Sequence, residues 1–289
     1  MASRITVCAP RPAPWFTPVF VAIDKGFLAE EGLEPEIRYN VDLDQLGTGE
    51  VDYIVTGAGR GRAFDSTSIR MICGHATRDT GHVLMVRPEF ETVHALEHIV
   101  MDKTEGLVNE LRNILSHHGL DLGQADIAMT RVDGHPQQYE LLNDGVGDAA
   151  PVGPPWWIFL AKKGYRNMGG EADETPLSGS GVFVSPEKLE RDPQQAAAFV
   201  RAYVRAIAYC QENRAGTLET MLKYSSAWGV DSPEIASEVY DVVAPFWTHE
   251  INLGSVEKLL ALTATKLGTT PERIDRFVDL RFLNEALAK

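Results

Sequence analysis

The chain has 289 residues, 44% hydrophobic and 24% charged, with 27 lysines and arginines against 41 acidic residues and a formal net charge of −14. That acidity excludes nucleic acid and anionic membrane surfaces as general partners, because both are held by a basic footprint. At roughly 100–200 residues per domain the length suggests two lobes; the three cysteines, Cys8, Cys73 and Cys210, have neither disulfide nor metal-ligand spacing, and no apolar run reaches the about 18 residues of a membrane span.

Arg4–Ala9 alternates and is β-branched before Pro10, Pro12 and Pro14, which predicts a strand feeding a loop. The segment from Pro18 has helical periodicity and a stop at Gly32, and Glu34–Asn40 reads as a second strand. A short helix, a turn and the strand Tyr53–Thr56 follow, then two strand candidates in SIRMICGHA and GHVLMV. This β-α-β-α-β-β order over the first 87 residues predicts a mostly parallel sheet covered by helices. The same grammar returns with a strand at His98–Asp102, a helix from Glu105 to His118 closed by Gly119, a strand at Asp126–Val132, a helix in QQYELLND and a strand in DAAPV.

The two halves share a pattern in one register. Leu46, Gly49, Asp52 and Gly57 recur as Leu142, Gly145, Asp148 and Gly153, each pair 96 residues apart. Each set marks a helix, a glycine turn and a buried strand, which predicts two similar α/β lobes. After Val182–Ser185 the pattern becomes almost wholly helical, with punctuation at Asp231-Ser232-Pro233 and Thr269-Thr270-Pro271, so the tail is expected to pack outside one or both lobes.

Trp15–Leu33, WFTPVFVAIDKGFLAEEGL, resembles the opening of solute-binding proteins of the type II periplasmic fold. The branch it is most similar to holds alkanesulfonate, nitrate and taurine binders and thiamine pyrimidine precursor synthases. GEVDYIV (Gly49–Val55), GDAAPVGPPWWIFLAKKG, the segment SGVFVSPEKLERDPQQAAAFVRAYVRA and DLRFLNEAL extend the likeness over essentially the whole chain. The resemblance implies two Rossmann-like α/β lobes with a helical C-terminal region and a ligand cleft between the lobes. Lobe 1 is then discontinuous, 1–87 plus 179–289, and lobe 2 is 88–178, with the crossings near Pro88 and Gly179. It also implies a small-molecule ligand and, for an exported receptor, an ABC permease as partner.

In open α/β sheets ligands gather beyond the carboxyl ends of the strands. Arg11, Arg60, Arg62 and Arg78 fall in or beside such loops of the first lobe, where forked guanidinium groups suit a carboxylate or sulfonate. Trp15 with Phe16 and Trp156 with Trp157 would place aromatic faces on opposite lobes, and Asn40, Gly57, His75 and His135 complete the expected ligand-binding set. His82 is a further strand-end histidine. Lys103, Thr104 and Glu105 stand where the family often has small residues, so anion contacts are expected mainly from the first lobe. The expected ligand is a small organic anion, aromatic or sulfonated.

The first fifteen residues hold no apolar run of the about 7–15 residues a secretory leader needs. This predicts a cytoplasmic chain as written, or a periplasmic or otherwise extracytoplasmic one whose leader has been removed. A cytoplasmic chain keeps a second reading open, an enzyme on the same cleft, desulfinase-like or decarboxylase-like. Desulfinases of this fold resemble the chain in using a cysteine from the loop after the first strand with a histidine nearby, which would give Cys8 and His75 catalytic roles. Cys8 falls within the strand pattern, however, and its leading reading is a small buried apolar side chain. The cysteine-rich cluster of the pyrimidine synthases is absent, no Walker loop, GxGxxG or Ser-His-Asp pattern is present, and neither a cofactor nor a metal is expected.

Overall fold

The computed structural model describes residues 2–9, 12–39, 45–57, 69–77, 81–103, 105–170 and 180–288. β1 (Ser3–Ala9) is followed by a 3-10 turn at Pro14–Phe16 and by α1 (Thr17–Asp24) and α2 (Phe27–Glu30). The single helix expected from Pro18 is thus two, parted where Gly26 adopts φ +78°, a conformation that favours glycine. β2 (Leu33–Tyr39), α3 (Gln45–Thr48), β3 (Tyr53–Thr56), β4 (Arg70–Gly74) and β5 (Val83–Val86) complete the first stretch. Next come β6 (His98–Asp102), α4 (Glu105–His117), β7 (Ala128–Val132), α5 (His135–Asn143), β8 (Ala149–Val152), α6 (Trp156–Lys162) and β9 (Arg166–Gly170). β10 (Gly181–Val184) leads into the helices α7 (Pro186–Arg191), α8 (Pro193–Glu212), α9 (Arg214–Lys223), α10 (Ser225–Trp228), α11 (Pro233–Val243), α12 (Leu253–Leu267), α13 (Ile274–Phe277) and α14 (Arg281–Leu287).

Two five-stranded sheets result, ordered β2-β1-β3-β10-β4 and β7-β6-β8-β5-β9. In the first, β1 runs parallel to β2 and β3, and β10 is antiparallel to β3 and β4. In the second, β6 runs parallel to β7 and β8, and β5 is antiparallel to β8 and β9. Both sheets therefore follow one plan, with the fourth strand reversed. The chain divides into two compact units, Met1–Asp79 with Leu177–Trp228 and Val243–Lys289, and Thr80–Pro176 with Gly229–Val242.

The sequence reading places GHVLMV in lobe 1 and the crossing near Pro88; in the structure this strand, β5, belongs to the second unit, which opens at Thr80. The physical reason is reciprocal pairing. β5 supplies the reversed strand of the second sheet just as the returning β10 supplies that of the first, and a local apolar run carries no record of which edge it will join. β9, in RNMGG, has too little apolar character to announce itself and pairs through its backbone with β5.

The three central strands of the second sheet, β6, β8 and β5, are buried on both faces, which is why they read as continuous apolar runs. Leu84, Val86, Ile99 and Met101 pack on one face with Leu107, Leu111, Ile114 and Leu115 of α4. Met85, Val100, Ala150 and Val152 pack on the other with Leu142 and Leu160 of α5 and α6. In the tail, α8 buries Ala196, Phe199, Val200, Tyr203, Ile207 and Cys210 along one stripe at helical spacing. α11 lies in the second unit, where Lys162 of α6 meets its Glu238 at 2.6 Å, while the other tail helices lie in the first.

The repeated aspartate has one job in both sheets. Asp52 Oδ2 accepts from the Thr6 N–H at 2.8 Å while its own N–H donates to the Thr6 carbonyl. Asp148 Oδ2 accepts from Glu97 and His98 N–H, both at 2.8 Å, and its N–H donates to the His98 carbonyl. Asp52 also pairs with the buried Lys188 ammonium at 2.8 Å. Asp148→Ala is expected to cost about 1–3 kcal/mol by orphaning two amides. Asp52→Ala is expected to cost more, because it also removes one of the two carboxylates, Asp52 and Asp192, that hold the buried Lys188 ammonium. Urea unfolding of the two variants measures the order, and equal or reversed losses would contradict this account.

Candidate functional site

Where β1 and β4 of the first unit end, the chain gathers aromatic rings around one histidine. Trp15 and Phe16 sit on the 3-10 turn after β1, and His75 directly follows β4. The Phe16 ring stacks on His75 with centroids 5.4 Å apart and planes at 12°, and Trp15 meets His75 edge-on at 6.5 Å. All three are buried, His75 with 0% exposure.

The backbone around His75 is held on two sides. Its N–H donates to the Ser180 carbonyl ahead of β10, and its carbonyl accepts from Thr248 N–H. Thr77 N–H donates to Phe246 and Gly74 N–H to His249, so the segment before α12 runs along the end of β4. Gly74 is needed there, since a Cβ would lie 2.1 Å from the Glu250 carbonyl oxygen. The Trp247 indole N–H donates to the Trp15 carbonyl at 2.9 Å, and Phe246 stacks on Trp15. Tyr203, on the buried stripe of α8, brings its hydroxyl to 2.7 Å from His75 Nδ1.

Hydrogen-bond economy sets the tautomer. If the Tyr203 hydroxyl donates to Nδ1, the ring proton lies on Nε2 and one donor is left over; the reverse leaves two groups unmatched. Nε2 of His75 and Nε1 of Trp15 are both buried with no hydrogen-bond partner among the described residues. Leaving such a group unmatched costs about 1–3 kcal/mol. Burial holds the His75 imidazole neutral, pushing its pKa down to about 3. The Trp15 backbone pulls the other way, more weakly than burial. The cluster thus offers two neutral N–H donors and flat ring faces, suited to an oxygen-bearing organic molecule.

Gly57, which follows β3, is buried, and the β3–β10 register sets Ser180 beside it. The second unit repeats the arrangement: Gly153 follows β8, with His82 beside it ahead of β5. His135 opens α5 directly after β7, and its Nε2 lies 2.9 Å from His82 Nε2. Trp156 and Trp157 open α6, both half-buried. Trp156 packs with Tyr139, Phe159 and the backbone of Gly229, and the buried Trp157 Nε1 has no partner among the described residues. Arg11, Asn40, Arg60, Arg62 and Arg78 lie outside the described residues.

Cys8 does not lie on the loop. It is the penultimate residue of β1, packed with Leu46, Val51, Ile54 and Met71 in the core of the first unit, and burial pushes its thiol up to about 11. A thiol so placed is the small apolar side chain of the leading reading rather than a ready thiolate. Tyr203, Phe246 and Trp247 are the members of this cluster that sequence reading missed. Their signal, aromatics scattered through a largely helical tail, is the same that core-filling side chains give.

Two outcomes are expected. Folded His75 stays neutral while the unfolded chain protonates it, so this residue makes stability fall as pH drops from about 6.5 toward 3, by up to about 1.4 kcal/mol per pH unit. His75→Gln should remove that part of the slope in urea unfolding at pH 6.5, 5.5 and 4.5; unchanged slopes would count against the buried neutral ring. Because all three cysteines are buried, native protein at pH 8 should leave a thiol reagent unreacted for minutes and titrate three thiols once denatured. A fast-reacting native thiol would contradict the placement of Cys8.

No family model matches the chain. Riboflavin-binding protein RibY of Chloroflexus aurantiacus is 23% identical, over 92% of this chain and 78% of that protein. Among solved structures, the alkanesulfonate-binding protein SsuA from Xanthomonas axonopodis pv. citri bound to MOPS superposes with a TM-score of 0.76 at 14% identity, covering 97% of this chain and 99% of that one. The periplasmic nitrate-binding protein NrtA from Synechocystis PCC 6803 gives 0.73 at 12% identity, covering 99% and 89%. The desulfurization enzyme DSZB gives 0.75 at 14% identity, covering 99% of both chains. Among the described residues no helix is long and apolar enough to cross a membrane. With two α/β units, each built on a mixed sheet of one shared plan, the chain has the type II fold of the periplasmic solute-binding proteins.

Proposed function

We propose that this chain is a solute-binding protein that captures a small organic anion through residues at the carboxyl ends of its strands, and that it serves an import permease. The observation that carries this reading is the pair of buried, unmatched N–H groups, Trp15 Nε1 and His75 Nε2, set beside the Phe16 and Trp15 faces. Donors of this kind await an oxygen acceptor, and stacked rings favour a flat body. The relatives support it: structures of like fold include proteins named for binding an alkanesulfonate and nitrate, and a protein similar in sequence is named for binding riboflavin. Arg11, Arg60 and Arg78, placed by sequence in first-lobe loops, are proposed to supply the neutralising charge, and Gly57, Asn40, His135, Trp156 and Trp157 to complete the lining. The resemblance to DSZB keeps a lyase as the competing reading, although the buried Cys8 thiol gives it no ready nucleophile.

Native mass spectrometry with alkyl and aryl sulfonates, aromatic carboxylates, nitrate and riboflavin tests this. A ligand retained at unchanged mass is expected. Trp15→Phe, which keeps the ring and deletes the N–H, and Arg60→Ala should each weaken it by about tenfold or more, the worth of a hydrogen bond to a charged group. Retention indifferent to both substitutions would contradict the site, and a product of altered mass would favour the lyase.

A further inference from the structure

Four side chains at the carboxyl-end edge of the second sheet form an unbroken run of hydrogen bonds. Glu110 Oε2 lies 2.7 Å from His82 Nδ1, His82 Nε2 lies 2.9 Å from His135 Nε2, and His135 Nδ1 lies 2.7 Å from Gln138 Oε1. All four residues are buried, Gln138 completely. Gly153 lies against both rings, where a Cβ would come within 3.1 Å of His82 and 3.5 Å of His135.

Gln138 fixes the direction of the run. Its amide nitrogen donates to the carbonyls of Val100 and Pro151, both at 3.0 Å, and carbonyls can only accept. Its oxygen therefore faces His135, whose Nδ1 must carry hydrogen. A neutral His135 then presents a lone pair at Nε2, which His82 must meet with N–H. The contact between His82 and Glu110 needs a hydrogen as well. Three contacts need three hydrogens, whereas one carboxylate and two neutral imidazoles own two.

We infer that Glu110, His82 and His135 form a buried proton-binding site that takes up one additional proton and shares it along the run at zero net charge. The separation of 2.9 Å suits a hydrogen bond between the rings. Among the described residues no group of three or more His, Cys, Asp or Glu could hold a metal ion in the proton's place. The charged neighbours are few. Asp102, at the end of β6, is 4.0 Å from where a Cβ on Gly134 would be, its carbonyl accepts from Arg131 at 3.2 Å, and Lys103 pairs with Asp133 at 2.8 Å. Glu110 on α4 is a carboxylate in direct contact with the ring pair, while Gln138, Gly153 and Gly170 of β9 add no charge.

The sign of the pH dependence follows. With ordinary values of about 4.3 for Glu and about 6.5 for His, the unfolded set holds two protons above pH about 6.5, one fewer than the folded set. Folding then takes up a proton and stability falls as pH rises. His135→Gln rebuilds the run without the additional proton, since an amide N–H can meet the His82 lone pair directly. Below pH about 6.5 the variant and the wild type should respond alike, each unfolded chain exceeding its folded form by one proton.

Unfolding equilibrium constants in urea from pH 5 to pH 9 test this. The ratio of wild type to His135→Gln should be flat below pH about 6.5 and climb toward about tenfold per pH unit above it. A ratio flat across the whole range would overturn the proposal. If the variant does not fold, histidine-labelled wild type at pH 8 should show an N–H···N scalar coupling between the two Nε2 atoms, and its absence would overturn it. One equivalent of zinc retained by purified wild type and lost in a folded His82→Gln protein would overturn it too, by placing a metal where the proton is.

Discussion

A carboxylate in front of each third strand holds this fold in register. Asp52 and Asp148 each grip, through side chain and main chain together, the backbone of the neighbouring strand one residue before the parallel pairing begins. Because side chains alternate along a strand, a slip of one residue would turn every inward side chain outward. The clamp therefore decides which residues lie at the carboxyl ends, Gly57 in one sheet and Gly153 in the other, and the strand-end cluster of each unit is arranged about those points.

The two strands that carry the chain between units do a second job. β5 and β10 occupy equivalent reversed positions, and the residue ahead of each arrives beside the clamped strand's terminal glycine: His82 beside Gly153, Ser180 beside Gly57. In the first unit the Ser180 carbonyl fixes the backbone of His75. In the second the His82 ring itself enters a hydrogen-bond run. One architecture thus yields an aromatic cluster with unmatched donors in one unit and a closed polar run in the other. The difference lies in the layer behind each sheet, where α8 backs His75 with Tyr203 and the segment before α12 holds Trp15 through Trp247, and α4 and α5 back His82 with Glu110 and His135.

Much of the fold was legible in the chain because its signals are local. Alternation announced β1, a glycine turn announced β3 and β8, and the fixed offset between Asp52 and Asp148 announced two units of one plan. The site was legible only in part. Trp15, Phe16 and His75 stand out because they follow strands, whereas Tyr203 on α8 and Trp247 beyond α11 were invisible, because a buried aromatic has the same local pattern whether it joins a strand-end cluster or fills a core.

The sequence by itself determined two α/β units, a helical tail and an acidic surface, since these rest on periodicity, turn chemistry and charge that neighbouring residues carry among themselves. The tertiary structure decided that GHVLMV leaves the first unit for the second, that α11 leaves the rest of the tail, and that His75 is neutral while His82 and His135 meet ring to ring. Those outcomes depend on which distant segment fills a sheet edge or lies against an imidazole. Hydrogen bonding and desolvation act across space, and residues far apart in the chain leave no local trace of meeting.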